Sequence, residues 1–284
     1  MKLLSRIEAT LGTRVHQLNP ISGGDINEAR RVHTDRGDYF LKYNERPEAE
    51  EMFRAEVAGL DLLRGTEGIR IPEIVALSDD KTPAFLLLEF VDAVRPTQAG
   101  LKAFGRGLAA LHRRNHETFG GNPANFIGRL PQSNYPHASW PQFFANERLL
   151  PQMRSAVSSG QLSIRWEAAL NKLIARLPEL CPEESPALTH GDLWSGNYLF
   201  DAQQRPVLID PAVAWQHREM DLGMLALFGD PGGAFWKAYR EAYPTAPGLH
   251  DRLPIYQLYY LLVHVNLFGG SYVASVERIL GRFA

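Results

Sequence analysis

The chain has 284 residues, of which 45 % are hydrophobic and 22 % are charged. This balance is that of an ordinary globular protein and excludes wholesale disorder. The 30 lysine and arginine residues are matched by 32 aspartate and glutamate residues, giving a formal charge of -2. No overall basic surface therefore indicates binding to nucleic acid. The single cysteine, Cys181, excludes an internal disulfide and fits a reducing compartment.

No segment of the chain predicts export or insertion into a membrane. Residues 1–12 lack the apolar core of a signal peptide. The longest apolar stretch, 255–268, is too short for a clean membrane span and contains polar residues. We therefore expect a cytoplasmic protein that has neither membrane nor nucleic-acid partners.

Turn signals and hydrophobic periodicity in the first third of the chain predict a small sheet with one helix. The predicted elements, in chain order, are strands at 15–21, 32–34 and 39–43, a helix at 48–64, and strands at 71–77 and 84–91. The second and third strands form one hairpin, and the last two strands form another. The helix ends at Gly65, a residue type that commonly terminates helices.

The rest of the chain is predicted to be mainly helical. The predicted elements are helices at 101–111, 140–157, 166–177, 219–228, 234–243, 253–268 and 271–282, and short strands at 187–190, 198–200 and 207–210. Residues 119–136 are expected to be irregular. This change of character predicts an α+β fold with two lobes, a small antiparallel-sheet N-lobe at 1–91 and a larger C-lobe at 92–284. The hinge is expected near 89–97.

The strongest chemical signal is the string HGDLWSGN at 190–197, followed by the apolar strand VLID at 207–210. Its Asp192 and Asn197, together with Asp210, are the residue types that phosphoryl transfer requires. Asp192 is suited to accept the proton of an attacking hydroxyl. Asn197 and Asp210 offer hard oxygen ligands for a Mg²⁺ ion that bridges nucleotide phosphates. A turn would explain any one of these residues, but it does not explain the ordered set.

An upstream pair of charges fits the same chemistry. Glu56 lies within the apolar stripe of the helix predicted at 48–64, where an unpaired carboxylate is costly. Lys42, in the strand at 39–43, is its natural partner. A strand lysine held by a helix glutamate is the arrangement that protein kinases use to bind nucleotide phosphates.

Two further segments gain meaning from their position. Gly23 and Gly24, ahead of Lys42, let backbone amides approach a phosphate closely, although the segment is neither a GxGxxG nor a Walker A sequence. Glu89, Phe90 and Val91 end the second hairpin at the lobe boundary, where their backbone groups would meet an adenine. An ordinary turn and the end of a buried strand are the alternative interpretations.

These motifs resemble the fructosamine kinase (ketosamine-3-kinase) family over nearly the whole chain. HGD and the asparagine of HGDLWSGN are shared with other small-molecule kinases, while Leu-Trp-Ser-Gly is typical of this family. Further landmarks are FLK at 40–42, LAALH at 108–112, LIDPA at 208–212, EMDL at 219–222 and YQL at 256–258. The resemblance implies a protein-kinase-like fold related to aminoglycoside and choline kinases.

The resemblance also implies the reaction. Such enzymes use ATP to phosphorylate the third carbon's hydroxyl on a ketosamine, the adduct that a reducing sugar forms with an amine. The product is unstable and releases the amine, so the expected partners are small ketosamines, such as fructosamine or ribulosamine adducts, and glycated amines or proteins. One departure is Asp25, since some relatives carry a cysteine there. A thiol-based redox switch therefore does not carry over.

Four residues receive supporting roles. The indole of Trp194 is suited to stack on a sugar and to attract an ammonium, with hydrophobic support of the loop as the alternative. Trp215 is a second candidate for the acceptor site, or else a residue of a surface loop. His190 is expected to orient the catalytic loop. Asp221, at the start of a predicted helix, is expected to accept backbone N–H groups there.

Two other functions remain open at this point. One is a kinase of another hydroxylated amine, such as an aminoglycoside, choline or homoserine, although no dense acidic run lies near the C-terminus. The other is a nucleotide-binding pseudokinase, which typically loses the lysine, the base or a metal ligand. Here Lys42, Asp192, Asn197 and Asp210 are all present.

Overall fold

A computed structural model describes residues 3–21, 26–78 and 82–283 of the chain. A five-stranded sheet and two helices form its N-terminal part. In chain order these are α1 (Leu3–Leu11), β1 (Val15–Pro20), β2 (Glu28–Thr34), β3 (Gly37–Asn44), α2 (Ala49–Leu63), β4 (Ile74–Leu77) and β5 (Ala84–Glu89). The strand order is β1-β2-β3-β5-β4, and every neighbouring pair is antiparallel.

The register of this sheet follows from its hydrophobic pattern. Lys42 pairs with Ala29 on one side and with Leu86 on the other, so β3 is the central strand. The continuous apolar run of β5 is buried at every position except Glu89, as is expected for a strand that is covered on both faces. One of those covers is α2, whose buried Phe53, Leu60 and Leu63 belong to the same apolar cluster as Leu86.

The remainder of the described chain is mainly helical, with three pairs of short strands between the helices. Its elements are α3 (Gln98–His112), β6 (Asn125–Ile127), β7 (Leu130–Gln132), α4 (Trp140–Phe143), a π-helical turn (Phe144–Leu149), α5 (Leu150–Ser158), α6 (Arg165–Leu180), β8 (Ala187–Thr189), β9 (Tyr198–Phe200), β10 (Pro206–Leu208), β11 (Ala214–Gln216), α7 (Glu219–Leu227), α8 (Gly233–Ala242), α9 (Leu249–Phe268), a 3₁₀ turn (Gly270–Tyr272) and α10 (Val273–Leu280).

The predicted α+β class is confirmed, with three local differences. Helix α1, with nine residues, was not predicted. Strands β6 and β7 form a small hairpin inside the 119–136 segment that was expected to be irregular. Strand β11 was also missed, because its three residues are strand-like only through their pairing with β8. Strands of three residues have no local signature, so their formation depends on long-range contacts.

The long helix α9 supports the site from the protein interior. Most of its 20 residues are buried, including Tyr256, Tyr259 and Tyr260, because α7, α5 and α10 pack around it. A helix that is apolar on all sides belongs either in a core or in a membrane. Within the described residues, no helix combines the length and the apolar character needed to cross a bilayer. Because most of its residues are buried, and many of them belong to the largest apolar cluster, helix α9 is part of the protein core.

Candidate active site

The segment 190–197 connects β8 to β9 and carries the main motif. A backbone bond of 2.9 Å from the Ala212 N–H to the His190 carbonyl ties it to the segment before β11. Gly191 adopts φ +82°, and a Cβ there would lie 1.9 Å from the Ala212 oxygen. Only glycine fits this close approach in a left-handed conformation. The loop is therefore fixed against its neighbour by backbone contacts.

Asp221 at the start of α7 anchors this loop. Its carboxylate accepts the backbone N–H groups of His190 and Gly191 at 2.8 and 2.9 Å. The ring of His112 lies 3.1 Å from the same carboxylate, and all these groups are buried. The sequence predicted that Asp221 would accept N–H groups of its own helix terminus, and this was wrong. The carboxylate instead satisfies donors about 30 residues away in sequence.

His190 is held in one orientation. Its Nε2 lies 2.8 Å from the Ile209 carbonyl, and its Nδ1 accepts the Asp192 N–H at 3.3 Å. Burial lowers the pKa of His190, outweighing the opposing effect of Asp221. A neutral ring that donates from Nε2 and accepts at Nδ1 fits both contacts. His190 therefore links Asp192 to the strand end that carries Asp210.

Asp192 and Asn197 face each other across the loop. The Asn197 Nδ2 donates to the Asp192 carbonyl at 2.8 Å and to its Oδ2 at 3.1 Å. Burial, followed by the nearby charge of Asp210, raises the pKa of Asp192 to about 7. A carboxyl with a pKa near neutrality is well matched to general base catalysis. The same amide bonds leave the Asn197 Oδ1 as the free oxygen of that side chain.

Lys42 joins the sheet to the catalytic segments. Its Nζ lies 2.8 Å from the Glu56 Oε1 and also contacts the Asp210 carboxylate. Burial acts to lower the pKa of Lys42, but the two carboxylates outweigh it and raise that pKa. Burial raises the pKa of Glu56 to about 7, against the opposing effect of Lys42. The predicted pairing of Lys42 with Glu56 is present in the structure.

Asp210 sits in an unusual backbone conformation. Its φ is +55°, a region that non-glycine residues seldom occupy and that clusters at functional sites. The side chain is 37 % exposed and lines the cavity beside Asn197. A carboxylate and an amide oxygen are ligands that Mg²⁺ accepts in combination with phosphates and water. No group of three or more His, Cys, Asp or Glu residues suited to a metal occurs in the part of the chain that the structure describes. Because one carboxylate and one amide oxygen supply only part of a Mg²⁺ coordination shell, Asn197 and Asp210 fit a metal that phosphates also hold.

A cavity of about 970 Å³ runs between the sheet and the helical part. Its lining includes Lys42, Asp192, Asn197, Asp210 and the segment 89–91. The predicted phosphate-loop residues Gly23 and Gly24 lie outside the described residues. The cavity therefore brings together the predicted residues that the structure describes, except His190, Asp221 and Trp215, which are not among the described lining residues.

The segment 89–91 lines the cavity, but the side chains have partners of their own. The Glu89 carboxylate contacts Arg70, and its N–H donates to the Glu73 carbonyl at 2.8 Å. The Phe90 ring lies under the guanidinium of Arg31, whose central carbon is 4.0 Å from the ring centroid. Residues 89–91 therefore remain candidates through their backbone and through the Phe90 ring.

The two tryptophans have different positions. Trp194 lines the cavity, and its ring covers Gly196 so closely that a Cβ there would lie 2.3 Å from it. Trp215 is in β11 and stacks on His116 at 5.0 Å between ring centroids. It is not among the described residues that line the cavity. The structure therefore does not bring Trp215 to the acceptor site, because β11 pairs with β8 behind the catalytic loop.

The side chains that α9 contributes to the site were not predicted from the sequence. Tyr260 donates its hydroxyl to the Gly191 carbonyl at 3.0 Å and lines the cavity together with His264 and Phe268. Tyr272, in the turn after α9, lines it as well. These four residues are spaced four apart, which places the first three on one helix face. This four-residue spacing of aromatic and histidine residues was the feature of the sequence that could have indicated their place in the cavity lining.

Comparison with known proteins identifies the relatives of this chain. A family model for fructosamine kinase matches residues 2–284. The chain belongs to the fructosamine kinase family. A probable ketoamine kinase of Lactiplantibacillus plantarum is 40 % identical over 273 residues, covering 95 % of each protein. A chloroplastic protein-ribulosamine 3-kinase of Arabidopsis thaliana is 34 % identical, covering 94 % of this chain and 82 % of that protein.

Solved structures agree with this assignment. A Thermobifida fusca YX-ER1 crystal structure that is named for fructosamine-3-kinase has a TM-score of 0.89 and 36 % identity, covering 99 % of this chain and 97 % of that one. The aminoglycoside phosphotransferase APH(4)-Ia has a TM-score of 0.63 at 18 % identity, covering 99 % and 98 % of the two chains. The second similarity shows the fold alone. This member of the fructosamine kinase family is thus a nucleotide-using phosphotransferase with a kinase-like fold.

Proposed function

We propose that this fructosamine kinase transfers the terminal phosphoryl group of ATP to the 3-hydroxyl of a ketosamine. Family membership supports the reaction class. The observation that carries the proposal is the convergence of Lys42, Asp192, Asn197 and Asp210 on one cavity. Positioning and neutralisation of phosphate charge are the main requirements of phosphoryl transfer, and these four side chains supply both.

Each residue has a separate task in this proposal. Lys42, oriented by Glu56, binds the nucleotide phosphates through its ammonium. Asn197 and Asp210 hold Mg²⁺, which neutralises charge on the phosphates when it is bound. Asp192 accepts the proton of the acceptor hydroxyl, because its raised pKa makes it a stronger base than an ordinary carboxylate.

The supporting residues complete the site. The backbone of Glu89, Phe90 and Val91 would contact the adenine. These residues begin a hinge near 89–97, which joins an N-terminal nucleotide-binding lobe (1–91) to a C-terminal acceptor lobe (92–284). Gly23 and Gly24, which lie outside the described residues, stay candidates for phosphate binding on the basis of the sequence. Trp194 stacks on the sugar. Cytoplasmic location and the absence of membrane or nucleic-acid partners stay predictions from composition.

The acceptor side of the cavity favours a ketosamine over a polycationic aminoglycoside. Among the described lining residues, the carboxylates of the C-lobe are Asp92, which pairs with Arg31, and Asp192 and Asp210, which the phosphoryl transfer itself employs. A polycation would need further carboxylates. The pseudokinase alternative is disfavoured because the base, the lysine and both metal ligands meet in one place.

The test is a phosphate-transfer screen with ATP and Mg²⁺. Acceptors would include a fructosamine, a ribulosamine, a glycated lysine peptide, an aminoglycoside and choline. We expect turnover with the ketosamines and phosphate on the third carbon, identified by mass spectrometry and NMR of the product. Turnover with only the aminoglycoside or choline would contradict the substrate class, and turnover with none would favour the pseudokinase.

A further inference from the structure

Four rings at the acceptor end of the cavity have no role in the mechanism above. Phe228, His264, Phe268 and Tyr272, called the aromatic cluster below, all line the cavity. The ring centroid of His264 lies 4.5 Å from that of Phe228, 4.8 Å from Tyr272 and 5.6 Å from Phe268. Phe268 is 49 % exposed. An apolar surface at the mouth of a cavity is typical of a ligand contact.

His264, at the centre of the aromatic cluster, has a free acceptor atom. Its Nδ1 lies 2.7 Å from the Tyr260 carbonyl, which is four residues earlier in α9, so Nδ1 carries the donated hydrogen. Burial lowers the pKa of His264 and favours the neutral ring. Its Nε2 is then an acceptor. Among the described residues, the His264 Nε2 has no hydrogen-bond partner. It is not one of the fully buried polar atoms that lack a partner, so the atom is accessible.

The electrostatics of this end of the cavity are distinctive. The charged lining residues on the nucleotide side are Arg31, Lys42, Glu56, Glu89 and Asp92. Asp192 and Asp210 take part in phosphoryl transfer. In the described part of the lining, the aromatic cluster therefore has no Asp, Glu, Lys or Arg of its own. A cation bound here would be held by ring faces rather than by carboxylates.

The aromatic cluster is attached to the loop that carries the base. The Ser195 N–H donates to the Phe228 carbonyl at 3.0 Å, and Tyr260 binds the Gly191 carbonyl. In a ketosamine the amine is on the first carbon and the accepting hydroxyl is on the third. A site for the amine must therefore lie near the base, and the Phe228–Ser195 contact attaches the aromatic cluster to the loop three residues after Asp192.

We propose that the aromatic cluster binds the protonated secondary amine of the ketosamine, which donates one N–H to the His264 Nε2 and places its charge against the rings. This inference rests on the proposed function and adds how the amine is recognised. It assigns sugar recognition to the catalytic loop and amine recognition to Phe228 after α7, to α9 and to the following turn. It also explains how a cationic acceptor is bound without a dedicated carboxylate.

The experiment compares two acceptors that differ in one atom. The first is a 1-deoxy-1-alkylamino-fructose, and the second is the ether of the same length, 1-O-alkyl-fructose, which cannot be protonated. The variants are His264→Phe, which keeps a ring and removes the acceptor nitrogen, and Phe268→Leu, which keeps apolar volume and removes the ring. Tyr135→Leu is the matched control, because Tyr135 is 67 % exposed and lies outside the cavity lining.

In both cluster variants we expect the KM of the amine acceptor to rise roughly 2- to 30-fold, the range of cation–π attraction. The KM of the ether and the KM of ATP should stay unchanged, as should every constant of the control. Phe268→Tyr should restore the amine KM. An equal rise for both acceptors, or no rise for the amine, overturns this inference. If the wild-type enzyme phosphorylates neither acceptor, the proposed function itself fails, which is a different result.

Because Phe268 is exposed, Phe268→Leu is expected to fold normally, and melting temperatures of all variants would verify this. A variant of His264 that melts far below the wild type would leave Phe268→Leu and Phe268→Tyr to decide the question.

Discussion

The ammonium of Lys42 contacts the carboxylate of Asp210, which follows it by 168 residues in the sequence. This contact joins the central strand of the sheet to the segment after β10. Since Glu56 binds the same ammonium at 2.8 Å, one buried cation serves two carboxylates. Nucleotide phosphates that bind Lys42 would replace Asp210 as its partner and leave the Asp210 carboxylate available to Mg²⁺. Metal and nucleotide are therefore expected to bind together.

Lys42→Met should weaken the use of ATP. The variant loses a charge-assisted interaction with the phosphates, a class of contact worth about 1.5–3 kcal/mol, so kcat/KM for ATP should fall about 10- to 100-fold. It also leaves Glu56 and Asp210 without their cation, which should lower the melting temperature. Steady-state kinetics and thermal unfolding measure both effects. Lys237→Met, at a site that is 75 % exposed, is the control, and unchanged ATP kinetics in Lys42→Met would refute the assignment.

Asp192→Asn should lower kcat by about 10²–10⁴-fold, the range of a positioned general base. The amide keeps the shape of the side chain but does not accept a proton as a carboxylate does. The affinity for ATP should change little, because the phosphates are bound by Lys42 and the metal. Asp61→Asn, whose side chain is 58 % exposed, serves as the control. A fully active Asp192→Asn enzyme would exclude Asp192 as the base.

Whether the sequence predicts a residue of this site depends on how far apart in the sequence the interacting residues lie. Asp192, Asn197 and Asp210 were predictable because their types and spacing are dictated by the chemistry. The partner of Lys42 was predictable because Glu56 interrupts an apolar helix face. The partners of Asp221 were not, since His190 and Gly191 are brought to it by the packing of α7 against the catalytic loop. Trp215 was misplaced for the same reason, because the β8–β11 pairing has no local signal.

The pH dependence should follow Asp192. Because its pKa is raised to about 7 in the folded free enzyme, and because the ionised form is the base, kcat/KM for the ketosamine should rise with pH through this value and level off above it. A profile measured with saturating ATP tests this. A flat profile between pH about 6 and about 8 would contradict the assignment, provided that the enzyme stays folded across that range.

The raised pKa of Asp192 has the opposite consequence for stability, since it makes the folded state less stable as the pH rises. The pKa of Asp192 rises from 3.8 to about 7 on folding, so ionisation is more costly in the folded state. Stability from this group is present at low pH and is lost as the pH rises through that window. Asp192→Asn should therefore melt above the wild type, by an amount that grows between pH about 4 and about 7 and is constant above. A variant that is less stable than the wild type at pH about 8 would disprove this sign.

Mg²⁺ should bind tightly only when nucleotide is present. Asn197 and Asp210 supply two ligand side chains, and Mg²⁺ usually completes its six oxygen positions with waters and substrate phosphates. Calorimetric titration with Mg²⁺ alone should give a weak or undetectable signal, and the signal should become strong after addition of a non-hydrolysable ATP analogue. Asn197→Ala should weaken this second signal. Tight binding of Mg²⁺ to the nucleotide-free protein would contradict the two-ligand site.

Trp194→Ala separates stacking on the sugar from support of the loop. The Trp194 ring lines the cavity and also covers Gly196, next to Asn197. If the ring binds the sugar, the KM of the ketosamine should rise about 2- to 10-fold, the effect of losing an aromatic contact of about 0.5–1.5 kcal/mol, while slow ATP hydrolysis without acceptor persists. Trp194→Phe should recover part of this loss. If the ring only supports the loop, ATP and acceptor constants should worsen together with the melting temperature.

Gly196→Ala provides an independent check on the same ring. A Cβ at this position would lie 2.3 Å from the Trp194 ring, so the indole must move while all its atoms remain. Should stacking on the sugar depend on the present ring position, Gly196→Ala will raise the ketosamine KM in the same direction as Trp194→Ala. The comparison uses full kinetics for both acceptor and ATP. An unchanged ketosamine KM in Trp194→Ala would end the stacking assignment, because removing the ring would then have cost the acceptor nothing.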